Sequence, residues 1–335
     1  MSTTSDRPRA HLTGWGRYAP AQILTNHDLE RMVDTNDEWI VQRTGIRERH
    51  IAEPGVGTSE LATKAALLAI ERAGLTPAQI DFIVVGTTTP DMMFPSTACL
   101  LQHKIGAKKA WGFDLGAACS GFTYALTTAT HMVAAGTIEH ALVVGADVMS
   151  SILDYTDRTT CVLFGDGAGA AVVSAATDRE FGILDFEAEI DGSGGGALFM
   201  PAGGSLKPAS KETVEQRLHY VKQDGQAVFR FAVKKTEEMC RRLLDRNRLQ
   251  PGDIDLMVSH QANRRIILSA AERLEFPVEK VVINIANYGN TTAATIPLAL
   301  NDAIEDGRLK KGSLLLVTSV GAGFTVGALL VRWAI

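Results

Sequence analysis

Three residues far apart in the chain have side chains that together support acyl-transfer chemistry: Cys119, His260 and Asn290. Cys119 stands in "GFDLGAACSGFTYALTTAT", residues 112–130, where an extended run gives way to small residues and then to a helical pattern. A cysteine in the first turn of a helix feels the positive end of the macrodipole, which favours the thiolate. Small neighbours leave room for a carbonyl, and the unsatisfied first-turn N–H groups can hold an oxyanion. The alternative is a cysteine that packs as a small hydrophobe. His260 directly follows the apolar run "LMVS", and ligand sites gather at strand ends in α/β sheets; the plainer reading is a histidine capping a strand. Asn290, in "NYGNTTAAT", reads by itself as an ordinary helix N-cap or turn residue, and only the other two residues give it a chemical role. The stretch "SVGAGFTVG", residues 319–327, is either a glycine bulge or a close backbone approach. In the second case the N–H of Ala322 joins that of Cys119 as an oxyanion donor.

The elements that would position these residues recur. "ELATKAALLAIERAGLTPAQIDFIVVGTTTPD", residues 60–91, is echoed by "RFAVKKTEEMCRRLLDRNRLQPGDIDLMVSHQANRR", residues 230–265. Pro77 matches Pro251, Asp81 matches Asp255, and Val84 matches Val258. "WGFDLGAACSGFTYALTTA" resembles "VVINIANYGNTTAATIPLA", and "AAGTIEHALVVGADV" resembles "EDGRLKKGSLLLVTSV". Helices alternating with buried strands imply an α/β fold with mixed, well-covered sheets. The duplication implies two halves, 1–178 and 179–335, packed about a pseudo-twofold. Overlaying the echoes puts Asn290 almost at the position of Cys119, and His260 at the end of the strand that matches "FIVVGT". Strand ends and helix starts related in this way converge, so the three residues are expected to meet. The glycine-rich "DGSGGGALFMPAGGS" reads as a long surface loop.

Composition narrows the function. With 335 residues, 46% hydrophobic and 21% charged, the chain can bury a large core. A formal charge of -5 argues against nucleic acid as the main partner. Cysteines at 99, 119, 161 and 240 show no C-x-x-C spacing, so neither a zinc site nor a dithiol motif is expected. No apolar run reaches membrane-spanning length. The first nine residues, "MSTTSDRPR", read as a disordered start without the apolar region of a secretory signal. A cytoplasmic location is the expectation. "FGDGAGAAVV" lacks the G-x-G-x-x-G spacing and runs into a strand, and "DGSGGGAL" lacks the Lys-Ser/Thr of a phosphate loop.

Six stretches in order, "NDEWIVQRTGIRERHIA", "AACSGFTYAL", "TDRTTCVLFGDGAGAAV", "HQANRRI", "YGNTTAATIPLAL" and "GAGFT", give the chain a resemblance to β-ketoacyl-acyl-carrier-protein synthase III. The resemblance runs from Leu12 to the end. It implies a thiolase-like fold with a layered αβαβα core. It also implies the initiating condensation of type II fatty-acid synthesis, in which an acyl-coenzyme A and malonyl-acyl-carrier protein give a β-ketoacyl product through an acyl-cysteine. Cys119 would be the nucleophile, with His260 and Asn290 completing the set; related elongating synthases use Cys-His-His. Trp39 and Arg158 would sandwich the adenine of coenzyme A, Arg43 would meet its phosphates, and Asn263 would line the pantetheine tunnel. Arg230, Arg265 and Arg273 would form a basic rim for the acidic carrier, or else a solvated helix face. Phe94 would close the acyl pocket, in the family from a partner in a homodimer. Acyl-coenzyme A enters as substrate, and no metal, nicotinamide or flavin is implied. Ala322 stands where some members have glycine. Two rivals remain within reach of the same residues: a starter-loading enzyme of secondary metabolism, and a redox sensor, which needs a resolving cysteine. An inactive scaffold is disfavoured by the intact Cys119, His260 and Asn290.

Overall fold

Every residue of the strand Phe82–Gly86 is buried, so both of its faces must be covered. Successive side chains of a strand point to opposite faces. Phe82 and Val84 enter one apolar cluster, and Ile83 and Val85 enter another. The strand Leu256–Ser259 repeats the pattern: Leu256 and Val258 join the first cluster, and Met257 joins a third. Two five-stranded sheets therefore share one core and each has a second core outside it. The structure, a computed structural model, describes residues 9–335 and nothing of the Arg9 side chain. The reading of the segment before Arg9 lies outside the described residues.

The first sheet is built from β1 (Arg9–Tyr18), β2 (Phe82–Gly86), β3 (Trp111–Leu115), β4 (His140–Asp147) and β5 (Gly167–Ala176), in the order β1-β5-β4-β2-β3. The second uses β6 (Gly182–Ile190), β7 (Leu256–Ser259), β8 (Val281–Val282), β9 (Leu314–Gly321) and β10 (Thr325–Arg332), in the order β8-β7-β9-β10-β6. β2 runs parallel to β3 and β4, as β7 does to β8 and β9. The remaining pairings are antiparallel. The boundary expected at residue 178 falls in the gap between β5 and β6.

Helices fill the layers around these sheets. A short helix, α1 (Asp37–Thr44), lies outside the stack. α2 (Thr58–Arg72) and α3 (Thr97–Ile105) cover the outer face of the first sheet. α4 (Gly121–Ala134) and α7 (Thr295–Glu305) lie between the sheets. α5 (Gly225–Arg246) and α6 (Arg264–Arg273) cover the outer face of the second. The order is αβαβα, the thiolase-like layering that the resemblance implied. α5 shows why such a helix docks: Ala232, Val233, Thr236, Met239, Cys240, Leu243 and Leu244 are buried at helical spacing, and Asp224 caps its start. α1 ends at Gly45 with φ 82°, and a Cβ there would lie 2.6 Å from that of Arg264. Glycine lets α1 press against α6.

The duplication is visible down to single hydrogen bonds. Pro77 and Pro251 each open a short turn closed by a capping box, Thr76 with Gln79 and Gln250 with Asp253. Asp81 accepts from the N–H of His140, and Asp255 accepts from the N–H of Leu314. Val84 pairs with Val143, and Val258 with Val317. Ala118 and Thr292 both hold left-handed φ, 46° and 50°. All these pairs are 174 residues apart. That register places Ala293, not Asn290, opposite Cys119. Asn290 lies three residues earlier, because the left-handed elbow sets the match and Asn290 precedes it.

The glycine-rich segment also departs from the loop expected. Gly192–Gly196 forms a short helical turn begun by Asp191, and Leu198–Phe199 pairs with Lys222–Gln223. Asp191 and Phe324 exchange two backbone hydrogen bonds, which tie this segment to the β9–β10 hairpin.

Candidate active site

Cys119 follows an alanine whose φ of 46° is strained for a side chain with a Cβ. The tight turn Ala118–Ser120 that results feeds directly into α4, and no side chain caps the helix start. Its first-turn N–H groups are therefore not consumed by a capping residue. The end of β9 comes in against this turn. A Cβ on Gly321 would sit 2.9 Å from the nitrogen of Cys119 and 2.8 Å from the carbonyl oxygen of Ala117. Gly321 lines the cavity in front of Cys119. Ala322 is one residue further on, in the turn between β9 and β10.

His260 is the residue after β7. Its backbone N–H donates to Thr318 at 2.7 Å, which fixes it to β9. Its Nδ1 lies 2.7 Å from Oγ1 of Thr295, at the start of α7. Asn290 is held by its backbone on both sides: its N–H donates to Leu163 and its carbonyl accepts from Gly165. Its Oδ1 accepts the N–H of Thr292 at 2.9 Å. The network thereby assigns the amide nitrogen to the other side. Below this turn the carboxylate of Asp147, at the end of β4, is fully buried. It accepts from the hydroxyls of Thr87 and Thr89 and the N–H of Thr88, and on its other oxygen from Thr292 Oγ1 and the N–H of Ala293. Asp147 clamps the second elbow to the first sheet.

Cys119, His260 and Asn290 line one cavity of about 720 Å³. Its walls also include Trp39, Arg43, Arg158, Asn263, Arg230 and Arg265. The guanidinium groups of Arg43 and Arg158 lie 5.2 and 5.5 Å from the ring centre of Trp39, within cation–π range. Asn263 caps α6 through the N–H of Arg265 and donates to the carbonyl of Arg43 at 3.0 Å. Arg265 lies over the ring of Phe229. Three expected residues do not line it: Ala322, whose neighbour Gly321 does, Arg273 and Phe94. Arg273, in the last turn of α6, pairs with Glu237 at 3.4 Å. Phe94 is 84% exposed on a loop with Met92 and Met93 and does not line the cavity of its own chain. Among the described residues, no cluster of His, Cys, Asp and Glu could hold a metal ion, and no helix is long and apolar enough to cross a membrane.

Burial sets the resting charges. It pushes the Cys119 thiol up to about 12, and the Asp147 carboxylate adds to the shift; a backbone hydrogen bond lowers it without offsetting either. At rest Cys119 carries a thiol, not the thiolate that the helix start favours. Burial disfavours the charged form. Burial also holds His260 down to about 3, so its ring is neutral. Gly321 belongs to the 319–327 stretch read above as a close backbone approach; three residues with a part in this geometry escaped the sequence, Thr292, Thr295 and Asp147. Their contacts join segments that are distant in the chain, and only the lone acid ending "VVGAD" hinted at one of them.

A strained cysteine elbow that shares one cavity with a neutral histidine and an asparagine amide, in a chain of two duplicated halves, is the arrangement of a condensing enzyme of the thiolase-like class. The sequence matches the family profile "3-Oxoacyl-[acyl-carrier-protein (ACP)] synthase III" over residues 113–192 and its C-terminal counterpart over residues 244–333. It is 58% identical over 329 residues to the β-ketoacyl-[acyl-carrier-protein] synthase III of Solibacter usitatus, covering 98% of this chain and 99% of that one. The structure is similar to the 3-oxoacyl-[acyl-carrier-protein] synthase III of Aquifex aeolicus VF5, with a TM-score of 0.89 and 44% identity over 97% of this chain and all of that one. It is also similar to the priming β-ketosynthase of the R1128 polyketide pathway, with a TM-score of 0.90 and 37% identity over 98% of both chains. The chain belongs to the β-ketoacyl-[acyl-carrier-protein] synthase III family. It is a condensing acyltransferase that initiates type II fatty-acid synthesis.

Proposed function

We propose that this chain condenses an acyl-coenzyme A starter with malonyl-acyl-carrier protein by way of acyl-Cys119. In the first half-reaction the Cys119 sulfur bonds to the acyl carbon and the bond to the coenzyme A sulfur breaks. The thiol proton of Cys119 ends on coenzyme A. The tetrahedral oxygen is held by the N–H of Cys119 and that of Ala322. In the second half-reaction the bond to the malonyl carboxylate breaks and carbon dioxide leaves. The electron pair moves into an enolate whose oxygen accepts from His260 and Asn290. The enolate carbon then bonds to the acyl carbon, and the Cys119 sulfur departs and takes a proton from solvent, which replaces the one that left on coenzyme A.

The observation that carries this reading is one cavity holding a thiol, a neutral imidazole and an amide. Uncharged donors suit an oxyanion that exists only during reaction. The same cavity supplies a subsite for coenzyme A: Trp39 and Arg158 for the adenine, Arg43 for the phosphates, and Asn263 along the pantetheine arm. Arg230 and Arg265 stand on its walls, where an acidic carrier would arrive. Phe94 can close an acyl pocket only in a second copy, since it stands outside its own cavity. A homodimer in the cytoplasm is part of the proposal.

Intact-protein mass spectrometry after mixing with acyl-coenzyme A esters of graded length and branching tests the reading. The expected result is a gain of one acyl group, mapped to Cys119 and discharged by malonyl-carrier protein with release of carbon dioxide. No mass gain, or acyl groups mapped elsewhere, overturns it.

A further inference from the structure

Arg49 is the largest side chain that the fold buries completely. It stands in the strand Glu48–Ile51, and its guanidinium donates to two oxygens, neither of them a carboxylate. Nη1 donates to Oδ1 of Asn26 and Nη2 to the carbonyl of Val162, both at 2.6 Å. Nε has no partner among the described residues. Burial holds the group down to about 10, so it is still a cation at neutral pH. A buried cation with no paired carboxylate costs stability. A hydrocarbon side chain would avoid that cost but leave two acceptors of buried residues without a donor. The two acceptors belong to segments that meet the active site. Val162 opens the segment 162–165, which grips Asn290: Leu163 accepts the N–H of Asn290, and Gly165 donates to its carbonyl. The stem of Arg49 runs along the same grip. A Cβ on Gly165 would lie 3.1 Å from Cβ of Arg49, and one on Gly289 would lie 3.1 Å from its Cγ. On the other side of the fork, Asn26 gives its amide to Oδ1 of Asp37 at 2.8 Å and to the carbonyl of Ile46 at 2.9 Å, which turns its own Oδ1 toward Arg49. Asp37 is the first residue of α1, the helix that carries Trp39 and Arg43.

We propose that Arg49 is a positioning residue for Asn290: its fork holds the 162–165 segment against Asn26 and the start of α1, and so sets the point from which the Asn290 side chain reaches the cavity. The inference rests on the reading that Asn290 donates to the enolate oxygen. Val162, Leu163 and Phe164 line the cavity, whereas Arg49 lies behind them and does not. Arg49 therefore acts through Asn290 and not on the substrate. A guanidinium suits the task because its planar fork reaches two separate segments at once, where an ammonium is a single point.

A double-mutant cycle tests this. Isotopic carbon dioxide release from malonyl-carrier protein is measured on preformed acyl-enzyme for the parent, Arg49→Met, Asn290→Ala and the double variant. Arg49→Met keeps the stem and removes the fork. Release should slow by about 10- to 10²-fold, the scale of a misplacement of about 1 Å. In the Asn290→Ala background Arg49→Met should slow it no further, because an absent amide cannot be misplaced. Arg49→Lys keeps the cation and reaches one acceptor, so it should fall between the parent and Arg49→Met. The rate of acylation is the reference, since Asn290 has no part in that step of the proposed scheme. Release slowed equally in both backgrounds, or acylation slowed as much as release, overturns the inference and leaves Arg49 a purely structural group. So does parent-rate release from Arg49→Met. Should Arg49→Met not fold, the same cycle with Arg49→Lys decides by the same criteria. Parent-rate release from Asn290→Ala overturns the reading of Asn290 itself, and this inference with it.

Discussion

The backbone N–H of Thr292 donates to Oδ1 of Asn290 at 2.9 Å, which leaves the amide nitrogen as the free end of that side chain. The backbone of Asn290 is bonded to Leu163 and Gly165, which fixes the point from which the side chain starts. Its part in the proposed chemistry is to donate to an enolate. Asn290→Ala should still form acyl-Cys119 yet lose about 10²–10³ in the rate of carbon dioxide release. Asn290→Asp keeps the acceptor for Thr292 and lacks the donor, so it should behave like alanine. Acyl-enzyme mass and isotopic carbon dioxide, measured on the same preparations, separate the two steps. Release at the parent rate from Asn290→Ala would return Asn290 to a turn-capping role.

The resting thiol makes a distinct forecast for reactivity. With the Cys119 thiol pushed up to about 12, its thiolate fraction grows about tenfold per pH unit across the neutral range. Iodoacetamide labelling of Cys119 should climb steadily from pH 7 to 10 without a plateau. At pH 7 the exposed Cys99 should be labelled before it. Peptide mapping over a pH series measures this, and a plateau near neutrality would mean that the helix start does prevail over burial.

His260 links the same burial to stability. Its folded value of about 3 lies below the ordinary 6.5. Between those values the unfolded chain binds a proton that the folded chain does not. Stability therefore falls as pH drops through that window, by at most about 1.4 kcal/mol per pH unit from this group. Urea midpoints from pH 7 to 4 should fall less steeply for His260→Ala than for the parent. Equal slopes would show that the ring titrates normally in the folded state.

Local pattern carried the first elbow, where small residues crowd the turn between strand and helix, as in "GAACSG". The repeat carried the convergence of β2, β7 and the starts of α4 and α7, because each half solves the same packing problem with the same spacing. It misplaced Asn290 by three residues, since the match is set by backbone torsion at Ala118 and Thr292, which no residue type announces. The partners of the site were not legible. Thr295 meets His260 across 35 residues, and Asp147 meets Thr292 across 145. The charge of Cys119 was misread for a related reason: the helix terminus is local and visible, whereas burial is the sum of distant segments.

The Trp39 platform yields a separable binding prediction. Arg158 lies 5.5 Å from the Trp39 ring centre and donates to the carbonyl of Asp34 at 2.7 Å. An adenine between them needs two contact distances, about 7 Å in all. Arg158 must therefore move outward when coenzyme A binds. Trp39→Ala should weaken acyl-coenzyme A binding by about 1–3 kcal/mol, the range of one base-aromatic stack, and leave carbon dioxide release from a preformed acyl-enzyme unchanged. Calorimetry with coenzyme A and single-turnover release decide it; equal affinity in the variant would move the adenine elsewhere.

The basic rim divides in two by position. Arg230 and Arg265 stand on the cavity wall, and Arg265 keeps its guanidinium over Phe229, with no ion pair among the described residues. Arg273 lies at the opposite end of α6 and is engaged by Glu237. A chain of net charge -5 repels an acidic carrier at long range, so local cations near the opening must supply the attraction. Rim charges act mainly on encounter and weaken with salt. Arg230→Glu and Arg265→Glu should each raise the KM for malonyl-carrier protein about tenfold or more, the effect shrinking as salt rises. Neither should alter acylation by acyl-coenzyme A to the same extent, because that substrate also has Trp39 and Arg43 to hold it. Arg273→Glu should leave the carrier KM within about twofold, since an exposed pair of this kind contributes little. Steady-state kinetics of the two half-reactions at low and high salt compare all three variants. A carrier KM unchanged in Arg265→Glu, or raised most in Arg273→Glu, would place the carrier on a different face of α6.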